Sequence, residues 1–277
     1  MPELPEIEVL RRSLERPLVG DRVDRVEVRS PALREPVDRR RLARDVAGRQ
    51  VEGLRRRAKY LLIDLEGART LILHLGMSGR LTLAAGSAPT EEHEHLVFRL
   101  ASGRKLRFRD PRRFGLVFSS PTGRLAADRH FARLGVEPVG PGSEAFSGAY
   151  LRRVAGGRRG PVKTFLMDSK VVVGVGNIYA SEALHQAGIH PLRSVARIAP
   201  ARWDRLAAAV GAVLESAITQ GGTTLNDFAD GEGNPGEFQV SLAVYGREGE
   251  PCPRCGAAVR RTVLAGRGTF HCPHCQR

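Results

Sequence analysis

The chain has 277 residues, 42% of them hydrophobic, with 44 Lys and Arg against 30 Asp and Glu, a formal charge of +14 and a pI near 10.8. That length exceeds the usual single core and the apolar content excludes wholesale disorder, so two domains with an appendage are expected. No apolar run reaches the ~18 residues of a membrane span, the N-terminus lacks a signal-peptide core, and the positive excess points either to a polyanion, most simply nucleic acid, or to a merely solvated basic surface.

The chain opens on Met1-Pro2-Glu3-Leu4-Pro5-Glu6. Met1 precedes a small residue, so an aminopeptidase is expected to remove it and leave Pro2 with a free secondary amine. An α-amino group titrates near pH ~8, so much of it is neutral and nucleophilic at working pH. Such an amine can attack a sugar C1′ or a carbonyl carbon to give an iminium, which acts as an electron sink, and the neighbouring Glu3 carboxyl can move a proton. The same residues also read as a plain N-terminal arm whose prolines delay the first helix.

Ile7, Leu10 and Leu14 at helical spacing predict a helix over Glu6–Leu18, ended by Gly20. From Arg22 to Phe118 the pattern turns to short β-rich runs: Val23–Val28, Gln50–Leu54, Tyr60–Leu65, Thr70–Leu75, Leu81–Ala84, His95–Leu100, Lys105–Phe108 and Leu116–Phe118. Glycines punctuate them, and many short strands with turn signals predict a β-sandwich with the first helix alongside. Only Asp38–Asp45 interrupts as a short helix. Asp110-Pro111-Arg112-Arg113-Phe114-Gly115 places two guanidinium groups beside an aromatic ring. Arginine forks to phosphate or stacks on a base, and an apolar Phe can wedge between base steps. A charged turn with one core Phe is the plainer reading of that hexapeptide.

Gly135–Gly142, rich in Gly and Pro, reads as an interdomain linker. Beyond it the period is helical, with helices expected at Glu144–Val154, Pro161–Met167, Asn177–Ala187 and along the apolar face Trp203, Leu206, Ala207, Val210, Val213, Leu214, Ala217 and Ile218. Gly174-Val175-Gly176 before Asn177 suits a phosphate-binding helix N-terminus, but lacks the strand and acidic residue of a dinucleotide site. Thr223–Gln239 is polar and Gly-rich, which fits a functional lid and plain disorder equally well.

All four cysteines lie in the last 26 residues, as Cys252-Pro253-Arg254-Cys255 and Cys272-Pro273-His274-Cys275. Two-residue spacings in paired knuckles fit one tetrahedral zinc in a reducing cytoplasm rather than disulfides. The 16 intervening residues suit a hairpin of Val259–Leu264 and Thr269–Phe270, with its tip at Gly266-Arg267-Gly268. His271 and His274 are possible competing ligands, though four thiolates already close a structural site. Arg267 at such a tip either enters a nucleic-acid groove or is an ordinary solvated residue.

Together these pieces resemble the bacterial formamidopyrimidine-DNA glycosylases, relatives of endonuclease VIII, over nearly the whole chain. The N-terminal Pro2 to Glu6, Ala58-Lys59-Tyr60-Leu61, His74-Leu75-Gly76-Met77-Ser78-Gly79, Asp110 to Gly115, Gly174 to Ala180, Gly221-Gly222-Thr223-Thr224-Leu225, Val244-Tyr245-Gly246-Arg247 and the zinc hairpin stand in family order. Leu4 and the Asp110 to Gly115 stretch resemble the formamidopyrimidine branch more than endonuclease VIII.

The resemblance implies an α+β protein of two domains. Its parts would be a catalytic N-terminal helix with β-sandwich over 1–135, a linker over 136–142, a helix–two-turn–helix domain over 143–240 and a zinc finger over 241–277, with DNA in the cleft between. It implies a bifunctional glycosylase and AP lyase of base excision repair. Such an enzyme removes oxidised purines (8-oxoguanine, formamidopyrimidines) from duplex DNA through a proline Schiff base, then cuts the strand by β,δ-elimination. Carried over by position, Pro2 is the nucleophile, Glu3 the acid/base partner, Lys59 a proton donor in strand cleavage, and Arg267 a phosphate contact assisting elimination. His74, His93, Arg112, Arg113, Arg159, Lys163 and Asn177 fall at DNA-contact positions, and Met77, Arg112 and Phe114 would fill the void left by an extruded nucleotide. Cys252, Cys255, Cys272 and Cys275 would hold one structural zinc, with no redox or organic cofactor. The expected partner is damaged double-stranded DNA, bound by a monomer in the bacterial cytoplasm and so associated with the nucleoid. Asn226 stands where several relatives carry lysine, which bears on lesion preference. Two rivals keep the scaffold: a glycosylase for oxidised pyrimidines and a non-catalytic damaged-DNA binder. Intact Pro2, Glu3 and Lys59 argue against the latter.

Overall fold

The computed structural model describes residues 2–223 and 242–277, in two compact units: 2–132 with 220–223, and 133–219 with 242–277. Asn226 and the rest of the Gly-rich stretch beyond Thr223 lie outside the described residues.

In the first unit, helix α1 spans Leu4–Leu18, two residues earlier than the apolar spacing alone predicts. A capping box explains the early start: the Glu3 side chain accepts from the Glu6 backbone, and the Glu6 side chain accepts from that of Glu3. Pro5 costs no hydrogen bond in a first turn, where N–H groups have no helical partner. Ile7, Leu10, Leu14 and Leu18 form the buried face, each side chain contributing about 1.5–3 kcal/mol of apolar burial.

The strands are β1 (Arg22–Val28), β2 (Arg49–Arg57), β3 (Tyr60–Leu65), β4 (Arg69–His74), β5 (Arg80–Ala85), β6 (Glu94–Leu100), β7 (Arg104–Arg109) and β8 (Leu116–Pro121), with helix α2 (Arg39–Val46) before β2. Asp38 caps α2 by accepting from the Arg41 N–H at 2.9 Å. The antiparallel strand order is β5-β7-β6-β1-β2-β3-β4-β8. Only Arg22↔Gln50 and Val23↔Arg49 join β1 to β2, so the ladder folds there into two four-stranded layers. Leu54, Ile63, Leu71 and Leu73 of one layer share a core with Leu81, Leu96, Phe98 and Phe108 of the other, together with Leu10 and Leu14 of α1. That is the sandwich read from the strand pattern.

The second unit carries α3 (Gly148–Ala155), α4 (Val162–Leu166), α5 (Asn177–Ala187), α6 (Pro200–Thr219) and a hairpin of β9 (Arg260–Leu264) with β10 (Arg267–His271). The helix expected over Glu144–Val154 is divided into a short 3-10 turn at Ser143–Ala145 and α3. Ser147 restarts the chain as an N-cap, and Gly148 sits so close to the Asp204 backbone that a Cβ would overlap it. The hairpin turns at Ala265 and Gly266, both left-handed at φ 49° and 71°, the pair of conformations a two-residue type I′ turn demands. Arg267 therefore begins β10, opposite Leu264, rather than forming the tip itself. Among the described residues no helix is long and apolar enough to cross a membrane.

The positive charge is almost entirely arginine, since the 44 basic residues include only Lys59, Lys105, Lys163 and Lys170 as lysines. Lys105 and Lys163 are buried, Lys59 is half-buried and Lys170 is exposed.

Candidate active site and nucleic-acid interface

Pro2 and Glu3 are both buried at the head of α1. Glu6 organises them, and the sequence reading missed it. Its Oε2 accepts from the Glu3 N–H at 2.7 Å, and its Oε1 accepts from the Thr223 N–H at 2.9 Å. One carboxylate thus clasps the N-terminus to the residue just after Gly222, whose φ of +80° and close approach to Glu6 leave little room for a side chain. The Glu3-x-x-Glu6 spacing was the available signal for half of this, as a capping box.

Lys59 occupies the two-residue turn between β2 and β3, after Ala58 in the left-handed conformation at φ 55°. Across the next ladder Tyr60 pairs with His74, their rings 4.9 Å apart. Burial, then the nearby positive charges of Arg34 and Lys59, push the His74 ring down to about 3, so it is neutral at any working pH. Its Nδ1 accepts from the Gly76 N–H at 2.9 Å, which leaves the proton on Nε2. His74 can therefore offer phosphate a neutral hydrogen bond but no charge.

The next two loops carry the void-filling candidates. Met77 is 40% exposed and Phe114 42%, both far too open for core residues. The plainer reading of Phe114 as a core side chain is thereby excluded. The Arg112 guanidinium lies over the Phe114 ring, 5.0 Å from its centroid, a cation–π contact that stiffens both. Arg113 is also exposed and held at φ 58°. His93, left-handed at φ 63°, accepts through its carbonyl from the Asp110 N–H at 3.0 Å, which sets it beside the same loop.

In the second unit, the Lys163 side chain is turned inward. It is 1% exposed, and its Nζ donates to Thr269 Oγ1 at 2.8 Å and to the Gly268 carbonyl at 3.4 Å. Asn177, at the start of α5, donates from Nδ2 to that same carbonyl at 3.0 Å, while its buried Oδ1 has no hydrogen-bond partner among the described residues. Both side chains support the strand that carries the exposed Arg267. Partners about a hundred residues further along the chain decide this, so the sequence could not show it. Arg159 is exposed, with its carbonyl accepting from Ser194 Oγ at 2.8 Å.

The Sγ atoms of Cys252, Cys255, Cys272 and Cys275 all lie within 4.8 Å of one another. Four sulfurs about 2.3 Å from a shared zinc stand about 3.8 Å apart, and the recorded Cys252–Cys275 and Cys255–Cys272 separations are 3.9 and 3.4 Å. The donor set fits one tetrahedral zinc, and neither His271 nor His274 joins the cluster. His185 Nε2 lies 3.3 Å from Cys252 Sγ, and the buried Glu182 carboxylate accepts from the N–H groups of Ala243, Val244 and Tyr245 at 2.8, 3.0 and 2.8 Å. Helix α5 thus anchors the finger at several points.

Residues 1–117 match the model of the formamidopyrimidine-DNA glycosylase N-terminal domain, 134–229 that of the formamidopyrimidine-DNA glycosylase H2TH domain, and 249–277 that of a zinc finger found in FPG and IleRS. The chain is 54% identical over 277 residues to a formamidopyrimidine-DNA glycosylase of Halorhodospira halophila, covering 100% of both. Among solved structures it is similar to a mutant Lactococcus lactis FPG in complex with Fapy-dG containing DNA, at a TM-score of 0.92, 32% identity and 100% of each chain. It is also similar to the Lactococcus lactis Fpg in complex with abasic site containing DNA, at 0.91, 33% and 99% of each.

Proposed function

The chain belongs to the formamidopyrimidine-DNA glycosylase family, and from that footing we propose that Pro2, freed of Met1, is the nucleophile with which it excises damaged bases and opens the strand. It is a DNA glycosylase and AP lyase whose partner is damaged double-stranded DNA, and it carries one structural zinc. The observation that carries the assignment of Pro2 is the Glu3–Glu6 capping box, which fixes the chain start at the buried N-terminal end of α1. An acid/base group and an amine one residue apart are thereby held in one geometry, the condition for proton transfer to keep pace with attack.

The lesion must leave the stack before its sugar can be reached. The Pro2 nitrogen adds to C1′ as the N-glycosidic bond breaks. The base departs with that electron pair and takes up a proton, with Glu3 managing proton movement. The sugar opens to an iminium, which acidifies the C2′ proton. Its loss expels the 3′ phosphate, and a second elimination expels the 5′ phosphate. Lys59 is the proton donor to these eliminations and Arg267 neutralises a phosphate. His74, His93, Arg112, Arg113 and Arg159 hold the backbone, while Lys163 and Asn177 act on DNA through the hairpin strand they support. Zinc, held by the four cysteines, supplies a closed structural centre and takes no part in these steps. Oxidised purines are the substrates, and the enzyme works in the cytoplasm, associated with the nucleoid through DNA.

Borohydride reduction tests the nucleophile. The processed protein should be trapped on abasic DNA through Pro2, Pro2→Gly should trap less, and a form that retains Met1 should not trap at all. Equal trapping by the Met1-retaining form would remove Pro2 from the mechanism.

A further inference from the structure

Two loops of the first unit expose apolar side chains, and a single buried carboxylate joins them. The loop after β4 carries Met77 and Ser78; the loop after β7 carries Arg112 and Phe114. Asp110, wholly buried at 0% exposure, accepts from Ser78 Oγ–H through Oδ1 at 2.7 Å and from the Gly115 N–H through Oδ2 at 2.7 Å. Ser78 Oγ in turn accepts from the Arg112 N–H at 3.2 Å. The Asp110 carbonyl accepts from the Arg113 N–H at 3.2 Å and from His95 Nε2 at 2.8 Å.

We propose that Asp110 and Ser78 are positioning residues that latch the Met77 loop to the Arg112–Phe114 loop, so that the void-filling side chains are set as one unit before DNA arrives. The proposal rests on the reading of Met77, Arg112 and Phe114 as void fillers, and asks what holds them ready. A turn-forming aspartate needs only the bond to Gly115 within its own loop. The second oxygen does something else: through Ser78 it crosses to the other loop. A serine hydroxyl suits that position because it donates to Asp110 while accepting from the Arg112 backbone. The backbones confirm how close the loops lie. Gly76, at φ +64°, has no room for a Cβ, which would overlap the Phe114 carbonyl. Gly115 has none either, since a Cβ would meet the Phe108 ring. Setting both loops beforehand removes the ordering entropy that insertion into a base stack would otherwise cost.

Asp110→Asn can keep Gly115 on its one acceptor oxygen only by reversing the bond to Ser78, whose hydroxyl would then accept from the amide as well as from Arg112 and lose its own acceptor. Ser78→Ala is the milder variant and removes only the crossing bond. In single-turnover assays, Ser78→Ala should slow excision from a formamidopyrimidine duplex roughly fivefold to tenfold, the factor one hydrogen bond represents. Strand cleavage at a preformed abasic site should change little, since no base remains to be extracted. In a Phe114→Ala background the Ser78→Ala substitution should then cost clearly less than it does alone, because one of the side chains it positions is gone. Additive losses in the double variant would overturn the latch, as would equal losses in both reactions tracking a lowered melting temperature. If Phe114→Ala alone failed to separate excision from strand cleavage, the void-filling reading itself would fall, and the latch with it.

Discussion

His74 shows how burial sets a charge state that residue type does not. Its folded pKa lies well below the ordinary 6.5, at about 3, so below pH 6.5 the unfolded chain binds a proton that the folded one refuses. Stability is therefore lost as pH falls from about 6.5 towards 3, and no further below that. At pH 4.5 the loss attributable to this ring is roughly 2–3 kcal/mol. Denaturant melts of wild type and His74→Gln should differ most at neutral pH and converge near pH 4.5. A constant gap across that range would show that the ring is not held neutral by the fold. Glu6, Asp110 and Glu182 are carboxylates of a different kind. Each is buried and accepts from backbone N–H groups, Glu6 and Glu182 from a distant stretch of the chain and Asp110 from within its own loop. Their chemistry is invisible in the sequence because a backbone donor carries no letter.

At the scale of elements, the strand runs and the zinc knuckles were legible because alternation and paired Cys-x-x-Cys are local signals. Asn177–Ala187 was read to the residue. The break before α3 was not legible, since its cause is the approach of Gly148 to Asp204 on α6. The same holds for the hairpin tip, where Gly266-Arg267-Gly268 suggested a turn centred on Arg267. The left-handed pair is Ala265 and Gly266, a choice set by strand register rather than by glycine count. The zinc element makes its own prediction. One zinc per chain should be found by metal analysis, and Cys272→Ser should lose it together with DNA cleavage. The first unit should keep its fold, as read by the pH-dependent melt of His74. Full cleavage by verified metal-free protein would contradict this. Structural zinc contributes folding energy directly, so the hairpin and Arg267 should loosen when the metal goes.

At the scale of the whole molecule, a formal charge of +14 makes DNA affinity largely a matter of counterion release. Binding to undamaged duplex should weaken steeply and linearly in the logarithm of salt concentration. Replacing the exposed Arg113 with Gln should flatten that slope by about one phosphate contact. Lys163→Gln should leave the slope almost unchanged and act instead on the hairpin, because the ammonium faces Thr269 and not solvent. Fluorescence anisotropy titrations at several salt concentrations read both effects, and a flattened slope for Lys163→Gln would return that residue to the DNA surface.

The near-exclusion of lysine from the surface bears on selectivity of a chemical kind. An abasic site is an aldehyde in disguise, and any neutral primary amine pressed against it can condense with it. A protein that concentrates such sites on a basic surface would ordinarily surround them with competing amines. Here the attracting charge is arginine, whose guanidinium stays protonated far above neutral pH and is no carbonyl nucleophile. Lys105 and Lys163 are shut inside the fold, and Lys170 alone of the four lysines is exposed. The surface can thus gather aldehydic DNA at high local concentration while leaving the secondary amine proposed at Pro2 with few rivals, so that stray adducts do not consume the enzyme.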